Sequence, residues 1–255
     1  MNTYPILEFD PATEAVFEPK GIIKPVEISE CCVLTFFKDV IEKVVSEHPV
    51  RTVKLLNSEM GKHPVYEMEF HGKKVAFFHA PMGAPFAAAA LEEIIALGCR
   101  KFIACGGAGV LDSSINCGKV VVPYSALRDE GTSYHYLPPS REVEPGPGAL
   151  QAIKETLEAN RVDYLMTKTW TTDAVYRETR LLVGKRKAEG CLVVEMEAAA
   201  FFAVSKFRGV KFAQMLYGGD DVSLEEWDHR NWFSQYGVRE SLFWLSVEAC
   251  LRIKD

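Results

Sequence analysis

Val193-Val194-Glu195-Met196-Glu197-Ala198-Ala199-Ala200 is the stretch on which the reading of this chain turns. It reads as the end of a buried strand running into an apolar helix, with two acids at the join. Carboxylates in the first turn suit the positive end of a helix. They are also acceptors able to hold a pair of hydroxyl groups. A second strand follows and ends in Gly218-Gly219-Asp220-Asp221. Two consecutive strands thus bring carboxylates to one edge of a sheet, where open α/β sheets bind ligands. A capped helix and an acidic turn would use the same residue types, because acids favour caps.

Outward from this core, strands and helices alternate. Cys31 to Thr35 reads as a short buried strand, and Phe37, Val40, Ile41, Val44 and Val45 fall on one helical face. Tyr66, Met68 and Phe70 alternate with Glu67 and Glu69, the pattern of a half-buried strand, and residues 75–78 form the next strand. A helix is predicted from Pro85 to the stop at Gly98. Strands are expected at 101–105, 119–123, 163–170, 191–194 and 210–217. Helices are expected at 149–159, 178–189, 195–208 and 237–252, and a loop rich in Pro and Gly at 138–148. The alternation implies an α/β sandwich.

Composition narrows the function classes. The chain has 255 residues, 48% of them hydrophobic, and a net charge of −6, enough for one large α/β domain. No cluster of Lys and Arg stands out, so nucleic acid and membrane surfaces are disfavoured as partners. Residues 1–20 are polar and acidic, without the apolar centre of a signal segment. The seven cysteines are odd in number and lack Cys-x-x-Cys spacing, which fits reduced thiols in the cytoplasm. No His/Cys/Asp cluster has metal-ligand spacing, so no metal is expected. Residues 1–28 carry little pattern and read as an N-terminal arm, leaving 29–255 as the catalytic domain.

At this point the chain resembles the nucleoside phosphorylases and nucleosidases of the purine/uridine phosphorylase type. Glu195-Met196-Glu197-Ala198-Ala199 looks like that family's sugar-binding signature, and Asp220 lies at the spacing of its catalytic Asp. His79-Ala80-Pro81-Met82-Gly83-Ala84-Pro85 looks like its Gly-Met-Gly loop, and Ala104-Cys105-Gly106-Gly107-Ala108-Gly109 like its second glycine loop. Arg128-Asp129-Glu130-Gly131-Thr132-Ser133 is similar to a segment of uridine-type members, and Thr171-Thr172-Asp173-Ala174-Val175-Tyr176 to the base-site strand. The matches keep the family's order from about residue 60 to 235.

The resemblance implies a single-domain three-layer α/β/α sandwich with a mixed, partly barrel-like central sheet. It implies that Glu197 accepts hydrogen bonds from the ribose hydroxyls, with Met196 against the sugar. Glu195 would bind sugar or satisfy the helix start. Asp220 would be the general acid at purine N7, with Asp221 the competing assignment one residue along. Uridine-type members lack this Asp, so a purine is favoured. Arg230 is the candidate to close onto the catalytic Asp, and Trp227 and Trp232 lie beside it. Thr171, Thr172 and Val175 would meet the base, Val175 standing where purine-type members carry a stacking aromatic. Asp173 is expected to fix that loop, while His79, Tyr134 and His135 read as structural or pocket-lining.

The departure lies at the phosphate. The family's arginine before the second glycine loop and the Ser or Thr within it are here Ala104 and Gly107. Its N-terminal Gly-Asp-Pro-x-Arg loop is replaced by Thr35-Phe36-Phe37-Lys38-Asp39. Gly83, Gly106, Gly107 and Gly109 amides could still hold an anion, with charge from Lys38, Lys62 or Arg128. The expectation is a purine-favouring nucleoside phosphorylase that uses phosphate as co-substrate and no cofactor. Its partners would be nucleoside and phosphate, and it would be a homo-oligomer, a dimer or a hexamer built from dimers. Two rivals stand beside it. One is a nucleosidase with Asp39 or Glu42 as base, and the other a non-catalytic nucleoside-binding or storage protein.

Overall fold

A computed structural model describes residues 4–255, so the first three residues of the expected arm lie outside the described residues. The rest of that arm holds a single turn at Pro5–Leu7 and a four-residue helix α1, Pro19–Ile22. The strands are β1 Cys31–Thr35, β2 Val50–Ser58, β3 Gly61–Phe70, β4 Lys73–His79, β5 Lys101–Val110 and β6 Val120–Asp129. They continue with β7 Glu142–Val143, β8 Tyr164–Thr172, β9 Cys191–Glu195 and β10 Lys211–Asp221. The remaining helices are α2 Lys38–Glu47, α3 Ala84–Leu97, α4 Pro147–Ala159, α5 Arg180–Ala188, α6 Ala198–Arg208 and α7 Tyr236–Arg252.

The strands run in the order β10-β6-β8-β9-β5-β1-β4-β3-β2, and β10 also pairs with β5. That extra pairing closes β5, β10, β6, β8 and β9 into a ring, from which β1, β4, β3 and β2 extend as an open sheet. The expected mixed, partly barrel-like sheet is therefore present. Strand β5 is the hinge of this plan. Its first half pairs in parallel with β1, its last residues pair antiparallel with β9, and its other edge pairs with β10 throughout. Two apolar layers flank the sheet. Helices α3 and α6 bury Leu91, Ile94, Phe201 and Phe202 on one face. Helices α2, α4 and α7 bury Val40, Ile153, Phe243 and Val247 on the other.

The structure extends and corrects the reading of several elements. Strand β2 was not expected, because its apolar positions are few and only Leu56 is fully buried. Helix α6 begins at Ala198 rather than 195, since Glu195 is still strand and Glu197 is the residue before the first turn. The segment 105–109, expected as a loop, lies within β5, with Gly106 opposite Leu216 and Gly107 opposite Tyr217. A side chain at Gly106 would place Cβ 2.8 Å from the Phe36 ring, so only glycine lets that ring close on the strand.

Arg128 is a framework residue rather than a source of charge for a ligand. It is 3% exposed and donates to Ser133 Oγ, Ser140 Oγ and the carbonyls of Leu137 and Pro138. These bonds tie the loop after β6 back onto the strand. Arg128→Met should lower stability by about 2–4 kcal/mol, measured by urea unfolding, because several hydrogen bonds to a charged group are lost. It should leave the KM of every substrate within about twofold, and a selective rise in one KM would return Arg128 to the site.

Candidate active site

The two acids of the opening motif separate into two roles. Glu195 ends β9 and is 6% exposed. One of its oxygens accepts from the Thr171 hydroxyl at 2.6 Å and the Thr169 hydroxyl at 3.2 Å. The other accepts the backbone N–H groups of Glu197 at 2.7 Å and Ala198 at 2.6 Å. The carboxylate thus caps the orphan donors at the start of α6, which are otherwise buried in an apolar layer. With both oxygens occupied, Glu195 fits the helix-start alternative and not the sugar.

Glu197 is left with capacity to spare. It is 5% exposed, and its Oε1 accepts from the Gly83 backbone N–H at 2.6 Å. Gly83 takes a φ of 92° at the entry to α3, a left-handed conformation that favours glycine, and so turns its N–H toward the carboxylate. Burial, and then the charge of Glu195, push the Glu197 carboxyl up to about 8, against the backbone N–H bonds from Gly83 and Met196. A carboxylate so placed holds a proton until something donates to it.

Glu197 opens into a cavity of about 540 Å³, whose wall includes Met196, Val175, Asp220 and Arg239. That size suits a small-molecule site. Asp220 reaches it from the end of β10, with Oδ2 accepting from the Trp227 indole at 2.7 Å. Asp221 points the other way. It is fully buried and accepts from the Ser223 N–H at 2.8 Å and hydroxyl at 2.6 Å. Of the two adjacent acids, only Asp220 lines the cavity.

Other expected site residues are placed elsewhere. Arg230, expected to close on Asp220, instead pairs with Asp221 and donates to the Ile115 carbonyl at 2.7 Å, so it braces the turn. The Thr171 hydroxyl is spent on Glu195 and the Ala199 N–H, and that of Thr172 accepts from the Ala174 N–H. Neither threonine lines the cavity, whereas Val175 does. Lys38 is 73% exposed, pairs with Glu42 at 3.5 Å and does not line the cavity. Lys62 lies on β3 as an exposed residue. Of the glycines expected at the phosphate, Gly107 and Gly109 line the wall, Gly106 is covered by Phe36, and Gly83 gives its N–H to Glu197 and does not line the cavity. Asp173 accepts from the Gly131 N–H at 2.8 Å, and Tyr134 donates to the Arg128 carbonyl at 3.0 Å.

Four cavity residues escaped the sequence reading or were set aside as structural. Arg239 comes from α7, ion-paired to Asp39 and lying 5.0 Å from the Phe37 ring centre. Its Nε–H is buried without a partner among the described residues. Gln214 on β10 is fully buried, with neither side-chain N nor O paired among them. Glu178 is half-buried, and burial followed by the charge of Asp220 raises its carboxyl to about 7. Burial pushes the His79 imidazole down, against a backbone hydrogen bond at Phe36. Arg239 and Gln214 carried no local signal, because one sits in a long helix and the other in an apolar strand.

With this geometry in place, comparison with known proteins gives the class. A sequence model of the phosphorylase superfamily matches residues 31–239, and the chain belongs to that family. A guanosine phosphorylase of Halorubrum lacusprofundi is 28% identical over 150 residues, covering 59% of this chain and 62% of that protein. The chain thus spans under two thirds of this curated relative. The fold is shared with uridine phosphorylase of Vibrio fischeri, at a TM-score of 0.75 and 22% identity over 90% of this chain and 95% of that one. It is shared equally with AMP nucleosidase of Bacteroides thetaiotaomicron, at a TM-score of 0.71 and 22% identity over 88% and 89%.

The raised Glu197 carboxyl has a consequence for stability. The folded protein keeps a proton that the unfolded chain gives up above about 4.5, so this contribution is full at low pH and is lost as pH rises toward about 8. Glu197→Gln keeps an acceptor for Gly83 and cannot ionise. Its melting temperature should fall less than that of wild type between pH 5 and 8, and parallel curves would place Glu197 outside the buried pair.

Proposed function

We propose that this protein is a purine nucleoside phosphorylase, cleaving the N-glycosidic bond with inorganic phosphate to give free base and pentose 1-phosphate. The observation that carries the reading is one cavity lined by an under-used buried acceptor, an acid at the strand end and a guanidinium with a free N–H. Ionised Glu197 would accept two ribose hydroxyls, with Met196 against the ring. Asp220 would give its proton to N7 as the bond between base and anomeric carbon breaks and the electron pair leaves with the base. A phosphate oxygen then bonds to the anomeric carbon from the opposite face, with Arg239 opposite its charge. No organic cofactor is required. A guanosine phosphorylase among the relatives supports a purine.

Hydrolysis is the second reading, favoured by Arg239 being the one Lys or Arg side chain among the described residues lining the cavity. Its candidate bases are poorly placed, since Asp39 is held by Arg239, Glu42 pairs with Lys38, and neither lines the cavity. Incubation with a nucleoside panel, with and without phosphate, separates the two. Pentose 1-phosphate formed only with phosphate is the expected product, and free pentose at the same rate in both would establish the nucleosidase.

Asp220→Asn should slow cleavage of inosine or guanosine by about 10²–10⁴-fold, the usual worth of general acid–base help. A nucleoside with an activated leaving group should lose far less. Equal losses on both substrates would remove Asp220 as the acid.

The mouth of the cavity carries exposed apolar side chains, among them Met82 (74%), Phe233 (52%) and Val175 (45%). We propose that a second copy of the chain covers this rim, in a dimer or a hexamer built from dimers. Sedimentation should give a multiple of the 28.5 kDa chain at micromolar concentration, and a monomer alone would contradict a shared site.

A further inference from the structure

Gln214 is the residue that neither the fold nor the proposed chemistry has used. It stands on β10 opposite Ala104 of β5, where the sequence departs from the expected arginine. Its amide is wholly buried, and neither its N–H₂ nor its carbonyl has a partner among the described residues. The same residue lines the cavity that holds Glu197, Asp220 and Arg239. Buried amides are almost always satisfied, so one left open at a cavity wall points to a ligand that completes it. Gln214 precedes Asp220 on one strand, separated by roughly 15–20 Å of chain at about 3.3 Å per residue. That reach leaves room for a base and a sugar between them, and in the proposed pose Gln214 lies at the end away from the leaving base.

We propose that Gln214 binds and orients the phosphate co-substrate, taking up with Arg239 the work of the absent arginines. This inference rests on the phosphorolytic reading. The amide N–H₂ donates to one phosphate oxygen, and Arg239 Nε–H donates to another. The amide carbonyl is an acceptor and requires a hydrogen facing it. Hydrogen phosphate supplies one from its P–OH group. The protonated oxygen is thereby turned to Gln214 and an ionised oxygen is left facing the anomeric carbon. Sulfate has the same shape but no proton to give at neutral pH, so the site discriminates between the two anions.

The test uses the full-length protein with inorganic phosphate and a purine nucleoside. Gln214→Leu should raise the phosphate KM at least about tenfold, the scale for losing a hydrogen bond to a charged group, with the nucleoside KM within about twofold. Gln214→Met, of similar length, provides a second variant. Both should melt as high as wild type or higher in phosphate-free buffer, because an unpaired buried amide has been removed. The rise in melting temperature that phosphate gives wild type should be lost in both. Sulfate should neither raise the wild-type melting temperature comparably nor compete with phosphate.

An unchanged phosphate KM in both variants overturns the proposal, as does a rise in the nucleoside KM alone, which would assign the amide to the sugar. Competition by sulfate as strong as phosphate's own binding overturns the role of the carbonyl. Wild-type cleavage that is independent of phosphate overturns the phosphorolytic reading itself, and this inference with it. Phosphate-dependent cleavage with the wild-type phosphate KM in both variants defeats only the assignment of Gln214.

Discussion

The carboxylate of Glu195 on the backbone N–H groups of Glu197 and Ala198 is the interaction on which the site depends. Helix α6 starts inside the molecule, between β9 and an apolar layer, where water cannot satisfy its first donors. An acceptor must therefore be buried there, and in this chain it is the acid Glu195. Once it is, the second acid two residues on is raised by burial and by its neighbour's charge. The structural requirement of a helix start and the chemical requirement of a poised acceptor are met by one short motif. Thr171 joins them, donating to Glu195 while accepting from Ala199, so strand β8 is locked to the same point.

The same economy appears at the end of β10. Two adjacent acids diverge because successive residues of a strand face opposite sides. Asp221 is enclosed by Ser223 and Arg230 and holds the following segment in place. Asp220 is thereby presented to the cavity with Trp227 on its oxygen. Arg230 sits on Asp221 and not on Asp220. Glu178, close enough to respond to the charge of Asp220, adds a second carboxyl at that end.

Much of this was legible in the sequence, for identifiable reasons. The strand-to-helix join at Glu195 was visible because apolar runs bracket it, and the acids at 220 and 221 because an apolar strand leads into them. The cavity roles of Arg239 and Gln214 were not legible. Arg239 reaches the site from α7, distant in sequence from every motif, and its pairing with Asp39 depends on how α2 and α7 pack. Gln214 interrupts an apolar strand, and its significance lies in what fails to meet it, which only the packed structure shows. Thr171 and Thr172 matched a base-site pattern by residue type, yet their hydroxyls are consumed by the backbone and by Glu195. Arg230 was correctly placed near the acids but belongs to the neighbouring one.

The central claim is that Glu197 is a protonated acid in the empty site and an ionised acceptor when sugar hydroxyls arrive. Calorimetry in two buffers of different ionisation enthalpy measures this directly, with a non-cleavable purine C-nucleoside as ligand at pH 7. Wild type should release a substantial fraction of one proton on binding, and that release should disappear in Glu197→Gln. Equal proton release in the two proteins would contradict the account, because the proton would then come from a group other than Glu197.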